Sequence, residues 1–249
     1  MKPEALSAIR YAVCAIGWTG VTREEFEADS MGRRFEIEGT GFLVEPTVVQ
    51  TCAHVIEGLE RVRRKRGPRP YASAVQFFYP DPLAADEWTS AIRPFDVIHT
   101  DARIDVAILR LRKRVDMPPV KIVTEGYTPI VGEGIGLCGY AHGSMLMTRA
   151  GRIDRVGPLV QTGIIAAVSP FDVDKPDKIL LDLVTGPAAS GSPIFRLGVG
   201  DVIGFLMEGQ IKGGAAFSIA RLINRTSTGH ATARLLKDIK VSKKQGDGT

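Results

Sequence analysis

The chain has 249 residues, a net charge of +4, 44% hydrophobic and 24% charged residues, which is the balance of an ordinary globular protein and excludes a disordered one. No stretch reaches the ~20 apolar residues of a membrane span. Three cysteines, Cys14, Cys52 and Cys138, are too few and too far apart for a disulfide scaffold, a metal site or a redox pair, which points to a reducing, cytoplasmic home where each is a small buried hydrophobe.

The N-terminus, Met1-Lys2-Pro3-Glu4, leads into a short apolar run around Tyr11 to Trp18 with no small-residue cleavage site after it. A first β-strand is expected there, not a signal peptide. Short strands follow at Arg34 to Val44, Thr47 to Thr51, Ala74 to Tyr79, Ile92 to His99 and Asp105 to Leu111, each β-branched or aromatic with partial alternation and with turn residues in many of the gaps. Among them, Arg61 to Pro70 carries six cationic side chains, read as a solvated loop beyond His54. Arg112 to Thr128 breaks the strand pattern and reads as a connection between two halves.

A second series of strands is expected at Gly134 to Cys138, Leu159 to Val168, Lys178 to Val184, Pro193 to Arg196, Val202 to Met207 and Ala215 to Ile219. Such a series favours an all-β barrel or sandwich. Ala231, Leu235 and Ile239 then recur every four residues behind Ser227 or Thr228, predicting a C-terminal α-helix over 227–240 and a frayed tail over 241–249.

Three segments carry chemistry: Thr51-Cys52-Ala53-His54-Val55, Asp101-Ala102-Arg103-Ile104-Asp105-Val106-Ala107, and Ala188-Ala189-Ser190-Gly191-Ser192-Pro193. A serine hydroxyl needs an imidazole to take its proton and a carboxylate to fix the imidazole's tautomer. His54, Asp105 and Ser190 can fill those roles. Asp105 stands at the edge of an apolar run, where a carboxylate requires a partner; Asp101 and Ser192 are the competing candidates for acid and nucleophile. His99, His142 and His230 lack such a setting.

The order His, Asp, Ser, with Gly39-Thr40-Gly41-Phe42-Leu43-Val44 before the histidine, Val131 to Tyr140 before the serine and Val202-Ile203-Gly204-Phe205-Leu206 and Gly214 to Ile219 after it, resembles the trypsin-like (chymotrypsin-fold) serine peptidases of the compact bacterial type without disulfides. The resemblance runs from about Ala12 to Leu222. It implies a single peptidase domain over 1–249 made of two six-stranded antiparallel β-barrels, 8–113 and 129–220, with the active site in the cleft between them. It also implies His54, Asp105 and Ser190 as the triad and the amides of Ala188 and Ser190 as the oxyanion hole, with substrate-binding residues at Val184, Leu206, Met207, Ala215 and Ala216. No carboxylate falls among the pocket positions, so cleavage after a small or medium apolar residue is expected, with no cofactor and no metal.

Two departures bear on activity. Ala188 stands where glycine is usual, and alanine tolerates a left-handed backbone poorly, so a distorted hole, or one assembled with substrate, is expected. Ala189 stands where an acidic or amide residue is usual, so a zymogen salt bridge has no acceptor, and the enzyme is expected to be active as made or switched by an activating or regulatory protein partner. Polypeptide is the expected substrate. The alternatives are an idle peptidase fold acting as a protein-binding module and, far behind it, a nucleic-acid-associated protein using Arg61 to Arg69; a membrane partner is not expected.

Overall fold

Two closed antiparallel barrels of six strands each form the body of the molecule. The structure, a computed structural model, describes residues 3–19, 35–66, 73–80, 88–123, 126–143, 157–171, 173, 176–212 and 215–223. The first barrel comprises β1 (Val13–Thr19), β2 (Phe35–Glu45), β3 (Val48–Thr51), β4 (Ser73–Pro80), β5 (Trp88–Asp101) and β6 (Val106–Leu111), paired in the order β1-β2-β3-β6-β5-β4. The second comprises β7 (Gly134–Gly139), β8 (Leu159–Ser169), β9 (Lys178–Leu181), β10 (Pro193–Arg196), β11 (Val202–Lys212) and β12 (Ala215–Leu222), in the order β10-β11-β12-β9-β8-β7. Every expected strand is present: β4, β5, β7, β8, β11 and β12 run past their expected ends, while β9 stops at Leu181, short of the expected Val184. The expected C-terminal helix and tail lie outside the described residues.

Two helices differ from expectation. Helix α1 (Pro3–Ala12) precedes β1, where the apolar run had suggested only a strand. Proline at its first position, Glu4 in its first turn and Arg10 in its last suit a helix's missing donor and dipole. Helix α2 (Ala53–Arg66) takes up most of the basic run that had been read as a loop. Its Val55, Ile56 and Leu59 are buried while Arg61, Arg63, Arg64 and Lys65 are exposed, an amphipathic stripe with its cations in the last turns.

Each barrel closes on its own apolar side chains, and the larger cluster crosses the interface. Val13, Ile16, Phe42, Val49, Phe77 and Leu109 of the first barrel pack in one body with Cys138, Phe195, Val202 and Phe205 of the second. Full burial of such side chains is worth about 1.5–3 kcal/mol each. This explains why β2 is buried continuously from Gly39 to Val44 instead of alternating: the far end of the strand is covered on both faces. The segment between the barrels hydrogen-bonds to both, Val120 N–H to Leu43 O (2.9 Å) and Val123 N–H to Val202 O (2.9 Å).

Candidate active site

Register in the first barrel sets two of the three candidate residues side by side. Thr51 pairs with Ala107 across β3 and β6, so the residue that opens α2 and the residue before β6 leave neighbouring strand ends. Gly39 lets α2 approach β2, since a Cβ there would lie 2.6 Å from Val55. His54, second in the helix, then meets Asp105 twice: its N–H donates to Oδ1 at 3.0 Å and its Nδ1 lies 2.8 Å from Oδ2. Asp105 adopts φ 54 at the end of its turn, a conformation aspartate tolerates better than most residues.

The carboxylate is 14% exposed and the imidazole 46%. The hydrogen bond that His54 donates to Asp105 is the main cause that raises the His54 pKa above its ordinary value; burial opposes it, and the charges of Asp105, Glu57 and Glu208 add to it. With Nδ1 bound to a carboxylate, the proton sits on Nδ1 and Nε2 is left as the basic nitrogen. Asp101, the competing acid, is instead bound to Arg103 at 3.0 Å, which holds its carboxyl below the usual range.

Ser190 arrives from the second barrel on the turn before β10. His54, Asp105 and Ser190 line one cleft of 660 Å³ together with Ala102, Thr185, Gly186, Pro187, Met207, Glu208 and Gly209. The Ser190 hydroxyl donates to Met207 O at 3.0 Å. Ser192, the competing nucleophile, is fully buried and its hydroxyl bonds back to Ala189 O.

Backbone amides around Ser190 are arranged by their own carbonyls. Ala188 takes φ 66, so the alanine adopts the left-handed conformation that had been expected to disfavour it. Pro187 O accepts from His142 N–H at 2.7 Å, and Ala189 O accepts from Ser192 N–H at 3.0 Å. In a planar trans peptide the N–H points opposite the carbonyl, so these bonds turn the Ala188 and Ser190 amides away from those acceptors. Neither amide donates to an acceptor among the described residues. Ala189 itself is fully buried in the second barrel's core.

The pocket positions divide. Met207 lines the cleft. Val184 does not: it is 54% exposed, and its carbonyl accepts from Gln161 Nε2 at 2.9 Å. Leu206 is 1% exposed and packs inside the second barrel, while Met207 is the extra residue at a register shift between Leu206 and Glu208. The side chains of Ala215 and Ala216 lie outside the described residues. Thr185 and Gly209 were missed. They face one another so closely that a Cβ on Gly209 would collide with Thr185 Oγ1, and Thr185 Oγ1 lies 3.1 Å from the buried Ser218 Oγ. Glu208 brings an exposed carboxylate to the cleft's rim.

Cys52, His54 and Asp105 place ligand atoms within 4.8 Å of one another. Their chemistry is that of a hydrogen-bonded set: the Cys52 thiol, fully buried, donates to Leu206 O at 3.2 Å, and burial followed by the Asp105 charge holds it protonated. All three cysteines are free and buried. No helix among the described residues is long and apolar enough to cross a membrane.

A family model described as a trypsin-like peptidase domain matches residues 39–205. Among solved structures, Rv3671c from M. tuberculosis H37Rv, in the inactive form of a serine-to-alanine mutant, is 18% identical with a TM-score of 0.58, covering 92% of this chain and 89% of that one. Deg5 is 17% identical with a TM-score of 0.54, covering 88% of this chain and 90% of that one. At such identities the likeness is one of fold. No curated protein matches the chain.

Proposed function

This chain belongs to the trypsin-like peptidase family, and from that premise we propose that it is a serine endopeptidase working through Ser190, His54 and Asp105. The observation that carries the reading is the His54–Asp105 pair, joined at 3.0 and 2.8 Å, opening onto the same cleft as Ser190. Ser190 Oγ attacks the scissile carbonyl carbon as His54 Nε2 takes its proton; the Ala188 and Ser190 amides hold the oxyanion. The tetrahedral intermediate collapses to an acyl-enzyme as His54 returns the proton to the leaving amine, and water then repeats the cycle. For the first step Ser190 must leave Met207 O and turn to His54.

Beside Ser190, Thr185, Gly209 and the buried Ser218 support a narrow site in which, among the described lining residues, the one carboxylate besides Asp105 is that of Glu208 at the rim. Cleavage after a small or medium apolar residue is the corresponding specificity. A peptide panel in which arginine substrates turn over fastest would overturn it. Three free cysteines support a cytoplasmic location.

The resting bond from Ser190 to Met207 O favours a second reading, an idle peptidase fold kept as a protein-binding module. Labelling with a fluorophosphonate, mapped by mass spectrometry, separates the two. Modification of Ser190 that is lost in Ser190→Ala and His54→Ala is expected; an unlabelled wild type would leave the binding module.

A further inference from the structure

One buried side chain of the first barrel reaches the loop that carries Ser190. Thr40, on β2, is fully buried and every polar atom it owns is engaged. Its N–H donates to Ser190 O at 2.9 Å, and its carbonyl accepts from Thr51 Oγ1 at 2.7 Å. Its hydroxyl accepts from Tyr140 N–H at 3.0 Å and donates to Ala188 O at 2.8 Å.

The last of these bonds falls on the residue whose backbone is disfavoured. Ala188 has φ 66, a region from which an L-residue with a Cβ relaxes unless its surroundings hold it. The two peptide planes flanking Ala188 decide its φ and ψ. The plane before it is tied through Pro187 O to His142 N–H, and the plane after it through Ala188 O to Thr40 Oγ1. The first tie lies within the second barrel; the second crosses from the first. Without the Thr40 bond the plane after Ala188 is left to the longer bond from Ala189 N–H to Gly186 O (3.3 Å), so ψ at 188 can change and, with it, the aim of the Ala188 and Ser190 amides relative to each other.

We propose that Thr40 is a positioning residue for the oxyanion hole: its hydroxyl latches Ala188 in the left-handed conformation across the barrel interface, in place of the glycine that would need no latch. This rests on the peptidase reading given above. The latch also ties the hole to the docking of the two barrels, since the same hydroxyl is held by Tyr140 at the end of β7.

The test compares Thr40→Val, which keeps the shape and removes the hydroxyl, with Thr40→Ser, which keeps the hydroxyl, and with Thr40→Val combined with Ala188→Gly. Three quantities are read: φ at residue 188 in crystal structures, kcat and KM on one peptide substrate, and inhibition by a peptide aldehyde that becomes a tetrahedral adduct. In Thr40→Val, residue 188 leaves the left-handed region and kcat falls about 10²-fold with KM little changed. Aldehyde inhibition weakens in step with kcat. Thr40→Ser keeps φ and restores turnover, and the added glycine recovers part of what valine loses, because glycine holds that conformation unaided.

A Thr40→Val protein with φ at 188 still near its present value and with unchanged kcat would overturn the proposal. Should Thr40→Val not fold, Thr40→Cys, with a weaker donor, is expected to show an intermediate kcat; full activity there would overturn it equally. A wild type that neither cleaves peptides nor reacts with a fluorophosphonate would sink the peptidase reading, and φ at 188 would still decide the latch.

Discussion

The two barrels contribute to the cleft in different ways. The first presents His54 and Asp105 from adjacent strand ends, joined directly to each other by two hydrogen bonds; its contribution is complete within one barrel. The second presents Ser190 on a turn whose neighbours carry positive φ, Ala188 at 66 and Gly191 at 88. That turn is held from outside: Thr40 grips Ser190 O and Ala188 O, and Cys52 reaches Leu206 O, the same carbonyl that accepts Gly191 N–H. On the proposed reading the candidate base and acid are therefore a local property, whereas the turn that carries the candidate nucleophile is a property of the interface.

The strongest break of the first half is Asp105→Asn. The asparagine amide donates where a carboxylate accepted, favouring the wrong imidazole tautomer, and kcat is expected to fall about 10⁴-fold with the fold intact. Loss of that size with a single cooperative unfolding transition retained supports a local pair; a loss below tenfold would contradict it. For the second half the matching test is Gly191→Ala against Gly17→Ala. In each a new Cβ would collide with a backbone carbonyl, Thr40 O in the first and Glu36 O in the second. Both are expected to cost about 3–5 kcal/mol, read by denaturant unfolding. Only Gly191→Ala pushes the barrels apart, so turnover measured well below the unfolding midpoint should collapse there and persist in Gly17→Ala.

The same division decides what could be read from the residues. The strands were legible because turn residues and β-branched runs are local signals. Helix α1 was hidden because its last apolar residues, Ile9 and Ala12, run straight into Val13 and Cys14 of β1 with no breaker between them. In α2 the charge run masked a helical repeat, Val55, Leu59 and Val62, that was present in the sequence. His54, Asp105 and Ser190 stood out through the motifs around them. The hydroxyl of Thr40 did not, since its bonds to Tyr140 and Ala188 span 100 and 148 residues. Val184 misled because a position counted along the chain gives no side-chain direction, and here the side chain turns to solvent.

Protonation of His54 tests the local pair more finely. The proposed mechanism needs the neutral imidazole, and Asp105 raises the His54 pKa, so the acid limb of kcat/KM is expected above the ordinary imidazole value of about 6.5. The sign for stability is the reverse of that for activity. With the folded pKa raised, the pair's stabilisation is full below the unfolded imidazole pKa and is lost as pH rises through the folded value. Titration of His54 by NMR beside unfolding at several pH values checks both.

The smallest effect expected comes from the two outer carboxylates, and it asks whether the base is as self-contained as the first barrel suggests. Glu57 lies on α2 in the first barrel and Glu208 on β11 in the second, and both charges raise the His54 pKa after the larger contribution of Asp105. Glu57→Gln and Glu208→Gln should each move the acid limb down slightly, in that order of size. Both side chains are exposed, so salt screens them: near 1 M, where the Debye length is about 3 Å, both shifts should shrink toward nothing, while that of Asp105→Asn persists. A Glu208→Gln shift that survives high salt would mean that the second barrel acts on the base through contact, and that the pair is not set by the first barrel alone.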